Sequence, residues 1–199
     1  MTIRQVRMVV IDVETGGLNP ERDALLSIGA VDSQTREHFY GRMRPPESLH
    51  LEEAALNVNG FERKAIYDPA LESESVVMSK FYLWLADCQP VVIAGCNVKF
   101  DIAFINAAFA RNEADVKVGI KQMLGHRAFD LQSLALTAYV LGALELPIKH
   151  DLPSTSFDSI LSAVGLSRIG KYHTADEDAT LTLNAIELIM LNLTSDGMG

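Results

Sequence analysis

Four carboxylates and one imidazole are the residues here whose types and spacing could do chemistry. Asp12 and Glu14 directly follow the short, β-branched run Met8-Val9-Val10-Ile11. Their spacing of two puts both side chains on one face of a continuing strand, and Thr15, Gly16 and Gly17 then end it in a turn. The run suits a strand buried on both faces, and two carboxylates at its end are costly unless an opposite charge offsets them. A hard divalent cation would do so. Without one, the pair reads as two surface carboxylates at an ordinary strand end. The same acidic spacing recurs at 21/23, 72/74, 113/115 and 176/178 without a β-branched run before it, and reads there first as solvated charge.

Asp101 follows a second apolar run, on Ala94-Gly95-Cys96-Asn97-Val98-Lys99-Phe100-Asp101, and reads as the N-cap of a helix. Asp178 falls in the first turn of the last helix, a place that suits an acid by the helix dipole alone. Its face continues as Thr182, Ala185 and Ile189, so the carboxylate is expected to point at the sheet rather than into water. His173 lies five residues before Asp178, in the loop entering that helix. A neutral imidazole there can take a proton from water near neutral pH. His38, His50, His126 and His150 read as structural.

The elements that must position these residues follow from periodicity. Arg4 to Val13 reads as a first strand, Leu25 to Val31 as a second and His38 to Met43 as a third. The polar turn at Ser33–Arg36 makes these an antiparallel meander, and Pro45-Pro46 ends it. Leu51 to Leu56 forms one or two helical turns before the Asn59-Gly60 turn. From Ser75 the period becomes helical, with Val77, Phe81, Trp84 and Leu85 on one stripe. Pro90 stops that helix, and Val91 to Ala94 makes a buried strand. Asp101 then heads a helix with Ile102, Ile105 and Phe109 inward. Arg127 to Phe129 is a last short strand, with Asp130 capping a helix over Leu131–Leu144. That helix is apolar on most sides, so it is either deeply buried or a contact with another chain. Phe157 to Val164 is a short helix ended by Gly165. The final helix starts near Ala175, with Thr174 and Glu177 at capping-box spacing and Ala175, Ala179, Leu183, Ile186 and Met190 inward. The order describes an α/β domain with a mixed sheet and helices on its faces.

Asp12-Val-Glu14-Thr, Asn97-Val-Lys-Phe-Asp101 and His173-Thr-Ala-Asp-Glu-Asp178 together resemble the three motifs of the DEDDh family of 3′–5′ exonucleases. That family includes the proofreading subunit of bacterial replicative polymerases, ribonuclease T and oligoribonuclease. The resemblance runs from the first strand to the last helix. The five-residue spacing of His173 from Asp178 matches the histidine branch; the tyrosine branch places its tyrosine four before, where this chain has Thr174. The resemblance implies a ribonuclease H-like three-layer fold, a five-stranded mixed sheet flanked by helices, as one domain over residues 1–199 with its core at about 4–193. It implies that Asp12, Glu14, Asp101 and Asp178 hold two Mg²⁺ or Mn²⁺ ions, with His173 as general base, releasing 5′-mononucleotides from a single-stranded 3′ end. Thr15, Gly17 and Leu18 would face the terminal nucleotide, with Asn97 in the second motif. Phe61 offers a stacking surface or fills the core. Gly16 and Cys96 depart from residues common in the family, threonine and histidine, at positions outside the five.

The composition fits this reading. The chain has 199 residues, 48% hydrophobic and 22% charged, enough for one sizeable core. No run is long enough for a membrane span and no secretory signal pattern is present. Cys88 and Cys96 lack metal-ligand spacing and read as buried small hydrophobes in a reducing, cytoplasmic protein. A net charge of −9 argues against a protein that coats nucleic acid, but not against an enzyme gripping one end through metals. Two other functions stay open: a non-catalytic nucleic-acid or polymerase-docking module on the same fold, and a hydrolase of short oligonucleotides or dinucleotides. A second copy of the chain, docked through Leu131–Leu144, or a polymerase would be the protein partner.

Overall fold

The computed structural model describes residues 6–112, 124, 127–170 and 172–195. His126 and the 113/115 acidic pair lie outside them. β1 (Met8–Thr15), β2 (Leu25–Asp32), β3 (His38–Arg42), β4 (Val92–Gly95) and β5 (Ala128–Asp130) form one sheet in the order β3-β2-β1-β4-β5. The first three strands are antiparallel, as short turns require, and β4 and β5 run parallel to β1 after helical crossovers. A two-stranded hairpin of β6 (Ile148–Lys149) and β7 (Leu152–Pro153), which the sequence reading missed, stands apart from the sheet.

Alternation along β1 explains where the site lies. Val9, Ile11 and Val13 enter the core under α3 (Glu74–Cys88) and α4 (Val98–Arg111). Met8 and Val10 enter the core under α5 (Leu131–Val140), α6 (Phe157–Ala163) and α7 (Ala175–Ser195). Asp12 and Glu14 continue that second row, so the strand aims both carboxylates at the start of α7. Fully buried side chains such as Ile11, Phe81 and Phe104 each contribute about 1.5–3 kcal/mol, which offsets a local charge penalty at one strand end. A third cluster, built on Leu26, Leu51, Leu56 and Ile66, seats α1 (Glu53–Asn59) and α2 (Arg63–Ile66) beside the end of β1.

Several expectations need correction. β1 runs on to Thr15, so Glu14 and Thr15 belong to the strand. The helix expected over Leu131–Leu144 ends at Val140; Leu131, Ala135 and Ala138 are buried while Leu136, Val140 and Leu141 are exposed. Asp130 caps it as expected, accepting from Ser133 N at 3.1 Å. Asp23 and Glu74 are buried ion-pair acids rather than solvated charges, held by Arg22 at 2.7 Å and Arg111 at 2.9 Å. Cys88 is buried, whereas Cys96 is only partly so. Among the described residues, no helix is long and apolar enough to cross a membrane.

Candidate active site

Three separate elements bring Asp12, Glu14, Asp101 and Asp178 to one place. Asp12 and Glu14 come from the end of β1. Asp101 is not an N-cap: α4 starts at Val98, so Asp101 sits in its first turn and is 3% exposed. Asn97 takes the capping position in the left-handed region (φ 58°), which asparagine tolerates better than most residues. Asp130, reaching across from β5, accepts from Val98 N at 3.1 Å and helps start the helix early. Asp101 Oδ1 in turn accepts from Val13 N at 3.0 Å, between the two strand acids in sequence.

Asp178 reaches the cluster through a close approach of backbones. Gly29 is the register partner of Asp12 on β2, and a Cβ there would lie 2.2 Å from the Ala175 carbonyl. Only glycine lets the start of α7 rest on the sheet at this point, and Asp178 follows one turn on. The capping box expected from Thr174 and Glu177 is not made. Glu177 instead accepts from Ile169 N at 2.6 Å, pinning the preceding loop. One oxygen of Glu14, one of Asp178 and a ring nitrogen of His173 lie within 4.8 Å of one another.

These groups repel each other in a poorly solvated cleft. Burial, reinforced by the Asp178 charge, raises the Glu14 carboxyl to about 7, against the opposing effects of Arg168 and Asn59. Burial and the charges of Asp101, Asp178 and Glu14 hold Asp12 well above the usual carboxylate range. Asp101 is raised as well, by burial first, although its backbone hydrogen bonds work the other way. The field extends to the Cys96 thiol, which burial and the neighbouring aspartates push to about 12.

The sequence reading missed Arg168. Its Nε and second terminal nitrogen donate to the two oxygens of Asp178 at 2.7 and 2.8 Å, and its remaining nitrogen donates to Asp158. The guanidinium lies 4.8 Å over the Phe157 ring, with its side chain 13% exposed. Among the described residues this is the cation whose charge reaches Asp12 and Glu14. One guanidinium cannot neutralise four carboxylates, so their ionisation calls for added positive charge. The donor set, oxygen-only apart from one imidazole, suits Mg²⁺ or Mn²⁺ better than zinc.

His173 opens to the cleft, 37% exposed, with Nδ1 3.8 Å from Asp178 Oδ2. His38 and His50 instead pair with Asp176 (2.9 Å) and Asp23 (3.2 Å), as structural histidines do. The chain entering His173 rests on α1: a Cβ at the left-handed Gly60 would meet the Tyr172 ring at 2.5 Å. Asn59 Nδ2, just before it, donates to Thr15 O at 3.1 Å. Thr15 is buried, its Oγ1 donating to Gly17 O at 2.7 Å. Gly17 has no room for a side chain, since a Cβ would fall 2.2 Å from Asp23 Oδ2. Leu18 is 78% exposed at the tip of this turn. Phe61 is partly buried and carries Arg42 over its ring at 4.7 Å. Asn97 is exposed at the start of α4.

A mixed five-stranded sheet between helical layers, with acids at the end of its first strand and at the start of its last helix, defines a ribonuclease H-like fold. Residues 9–186 match the RNase_T family, described as Exonuclease, and the chain belongs to that family. It is 38% identical over 146 residues to ribonuclease T of Marinobacter nauticus, the match covering 66% of this chain and 63% of that protein. Its fold is similar to that of E. coli exonuclease I in complex with a dT13 oligonucleotide, with a TM-score of 0.81 at 20% identity over 96% of this chain and 42% of that one. Product-bound exonuclease I gives a TM-score of 0.79 at 20% identity, over 96% and 45%. The chain thus spans less than two thirds of each of these relatives.

Proposed function

We propose that this chain is a metal-dependent 3′–5′ exonuclease that removes nucleotides from the end of single-stranded DNA or RNA as 5′-mononucleotides. The observation that carries this reading is the cluster of Glu14, Asp178 and His173, with Asp12 and Asp101 in the field of the same acids, in an RNase_T-family chain. The four carboxylates would hold two Mg²⁺ or Mn²⁺ ions. Bound there, the ions supply neutralising charge and make an attacking water more acidic. Asp101 keeps its orientation through Val13 N, and Asp178 through the seating of α7 on Gly29. His173, with Nδ1 turned to Asp178, takes the water proton at Nε2. The turn Thr15–Leu18 receives the terminal nucleotide: Gly17 lets backbone approach the sugar and Leu18 presses on the base. Asn97 and Phe61 line the route of the preceding nucleotides.

The test is digestion of 5′-labelled single-stranded DNA and RNA with Mg²⁺. A ladder shortening from the 3′ end, with mononucleotide products, is expected, and Asp12→Ala should abolish it. Nucleolysis that persists in Asp12→Ala would refute the metal-site reading.

A further inference from the structure

Two rows of side chains cross the sheet on the face that carries the acids. Asp12 pairs with Gly29 and Gly29 with Tyr40; Glu14 pairs with Ser27 and Ser27 with Arg42. Strands lie about 4.8 Å apart, so Arg42 stands on the order of 10 Å from Glu14 along the same row. There the face opens into a cleft of about 350 Å³, lined by Ser27, Tyr40, Arg42, Asn59, Phe61 and His173 among others. It therefore adjoins the acid cluster and shares His173 with it.

The lining residues are arranged for a ligand with an anionic group and a flat ring. Arg42 has no carboxylate within ion-pairing distance among the described residues, although Glu62 also lines the cleft. In a chain of net charge −9 in which Arg7, Arg22, Arg36, Arg63, Arg111 and Arg168 are each paired to an acid, Arg42 stands open beside a cluster of carboxylates. Its guanidinium carbon lies over the Phe61 ring, 4.7 Å from the centroid, which anchors the charge beside an aromatic face. The Ser27 hydroxyl, buried at 1% exposure, lies beside the Tyr40 phenol, and the two give this wall of the cleft a polar edge.

We propose that this cleft is a second nucleotide subsite, in which Arg42 holds a phosphodiester other than the scissile one and the Arg42–Phe61 stack supports its base. The proposal rests on the exonuclease reading, since it places the scissile phosphate at the acids. Its substrate class is a strand of at least two nucleotides, and the subsite favours an oligonucleotide over a single nucleoside ester.

The experiment compares hydrolysis of a short single-stranded oligonucleotide with that of the p-nitrophenyl ester of thymidine 5′-monophosphate, which offers one nucleoside and one phosphodiester. Arg42→Gln should lower kcat/KM for the oligonucleotide at least fivefold more than for the ester, chiefly through KM. The slope of log kcat/KM against log salt should become shallower by about 0.7, the value for one phosphate contact on a single strand. Arg42→Lys, which keeps the charge but not the planar fork, should retain the salt slope and recover part of the loss; Phe61→Leu should weaken the oligonucleotide selectively. Equal losses on both substrates, or none on either, would overturn the subsite. Binding of a fluorescent oligonucleotide in Ca²⁺, followed by anisotropy, separates the two readings. If the wild type binds in Ca²⁺ but cuts in neither Mg²⁺ nor Mn²⁺, the nuclease reading fails, and the Arg42→Gln binding loss and salt slope still decide the subsite. If it binds nothing, both readings fail.

Discussion

Replacing Arg168 by methionine tests whether Asp178 belongs to a cation site. Arg168 and Asp178 have side chains 13% and 5% exposed, and two short hydrogen bonds join them. Removing one partner of such a buried pair costs about 3–5 kcal/mol, and about 3 is the better figure here because the Arg168 side chain keeps some contact with solvent. For a domain of this size each kcal/mol lowers Tm by about 2–4 °C, so the variant should melt about 6–12 °C below wild type in chelator. A divalent cation added at the same place supplies the charge the guanidinium supplied. In wild type the cation must first displace Arg168; in the variant it meets no competitor. Calorimetry with Ca²⁺ or Mn²⁺ should therefore show tighter binding to Arg168→Met, and melting scans should show a larger gain in Tm on adding the ion. If the variant in chelator melts within about 2 °C of wild type, or gains no more from the ion than wild type does, Arg168 and the cation do not share Asp178.

Two more outcomes follow from the same cleft. The Glu14 carboxyl titrates at about 7 in the fold against an ordinary 4.5, with Asp12 and Asp101 also raised, so the folded state holds protons the unfolded chain has released. The associated stability is complete below about pH 4.5 and is lost as pH rises through about 7. Metal-free Tm should fall between those values, saturating Mg²⁺ should flatten the slope, and metal affinity should rise with pH. Gly29→Ala places a methyl 2.2 Å from the Ala175 backbone, where α7 must shift. Overpacking there should cost about 1–3 kcal/mol in chemical denaturation, and nuclease activity should fall much further than stability because Asp178 moves with the helix.

The sheet and its main helices were legible because their signals are local. Met8–Ile11 is continuously apolar, α7 repeats its inward residues every third or fourth position, and the same face carries Asp178, Thr182, Ala185 and Ile189 into the core. What misled was set by partners distant in sequence. Asp101 looks like an N-cap until Asn97 turns left-handed and Asp130, 32 residues on, accepts from Val98 N. Glu177 has capping-box spacing, but a loop amide at Ile169 offers a better donor. Asp23 and Glu74 read as solvated because nothing local shows that the fold brings His50 to an Asp23 already paired with Arg22, or Arg111, 37 residues on, to Glu74. Arg168 left only a faint trace, a basic residue in a loop ten positions before an acid. Gly29 left almost none, since a glycine in a strand signals a close approach without naming its partner.

The Tyr172 ring seated on Gly60 ties the last loop to the first helix of the chain. One neighbour of that contact is His173; the other is Asn59, which holds the strand-end carbonyl of Thr15. In the proposed exonuclease, the wall that would meet the nucleotide and the imidazole that would deprotonate its attacker are therefore joined through one contact. A substrate end that tilted α1 would press on the ring and, through it, disturb the imidazole. Discrimination among 3′ ends can then be enforced by the alignment of the base as well as by the strength of binding, so that a poorly seated nucleotide is held but cut slowly.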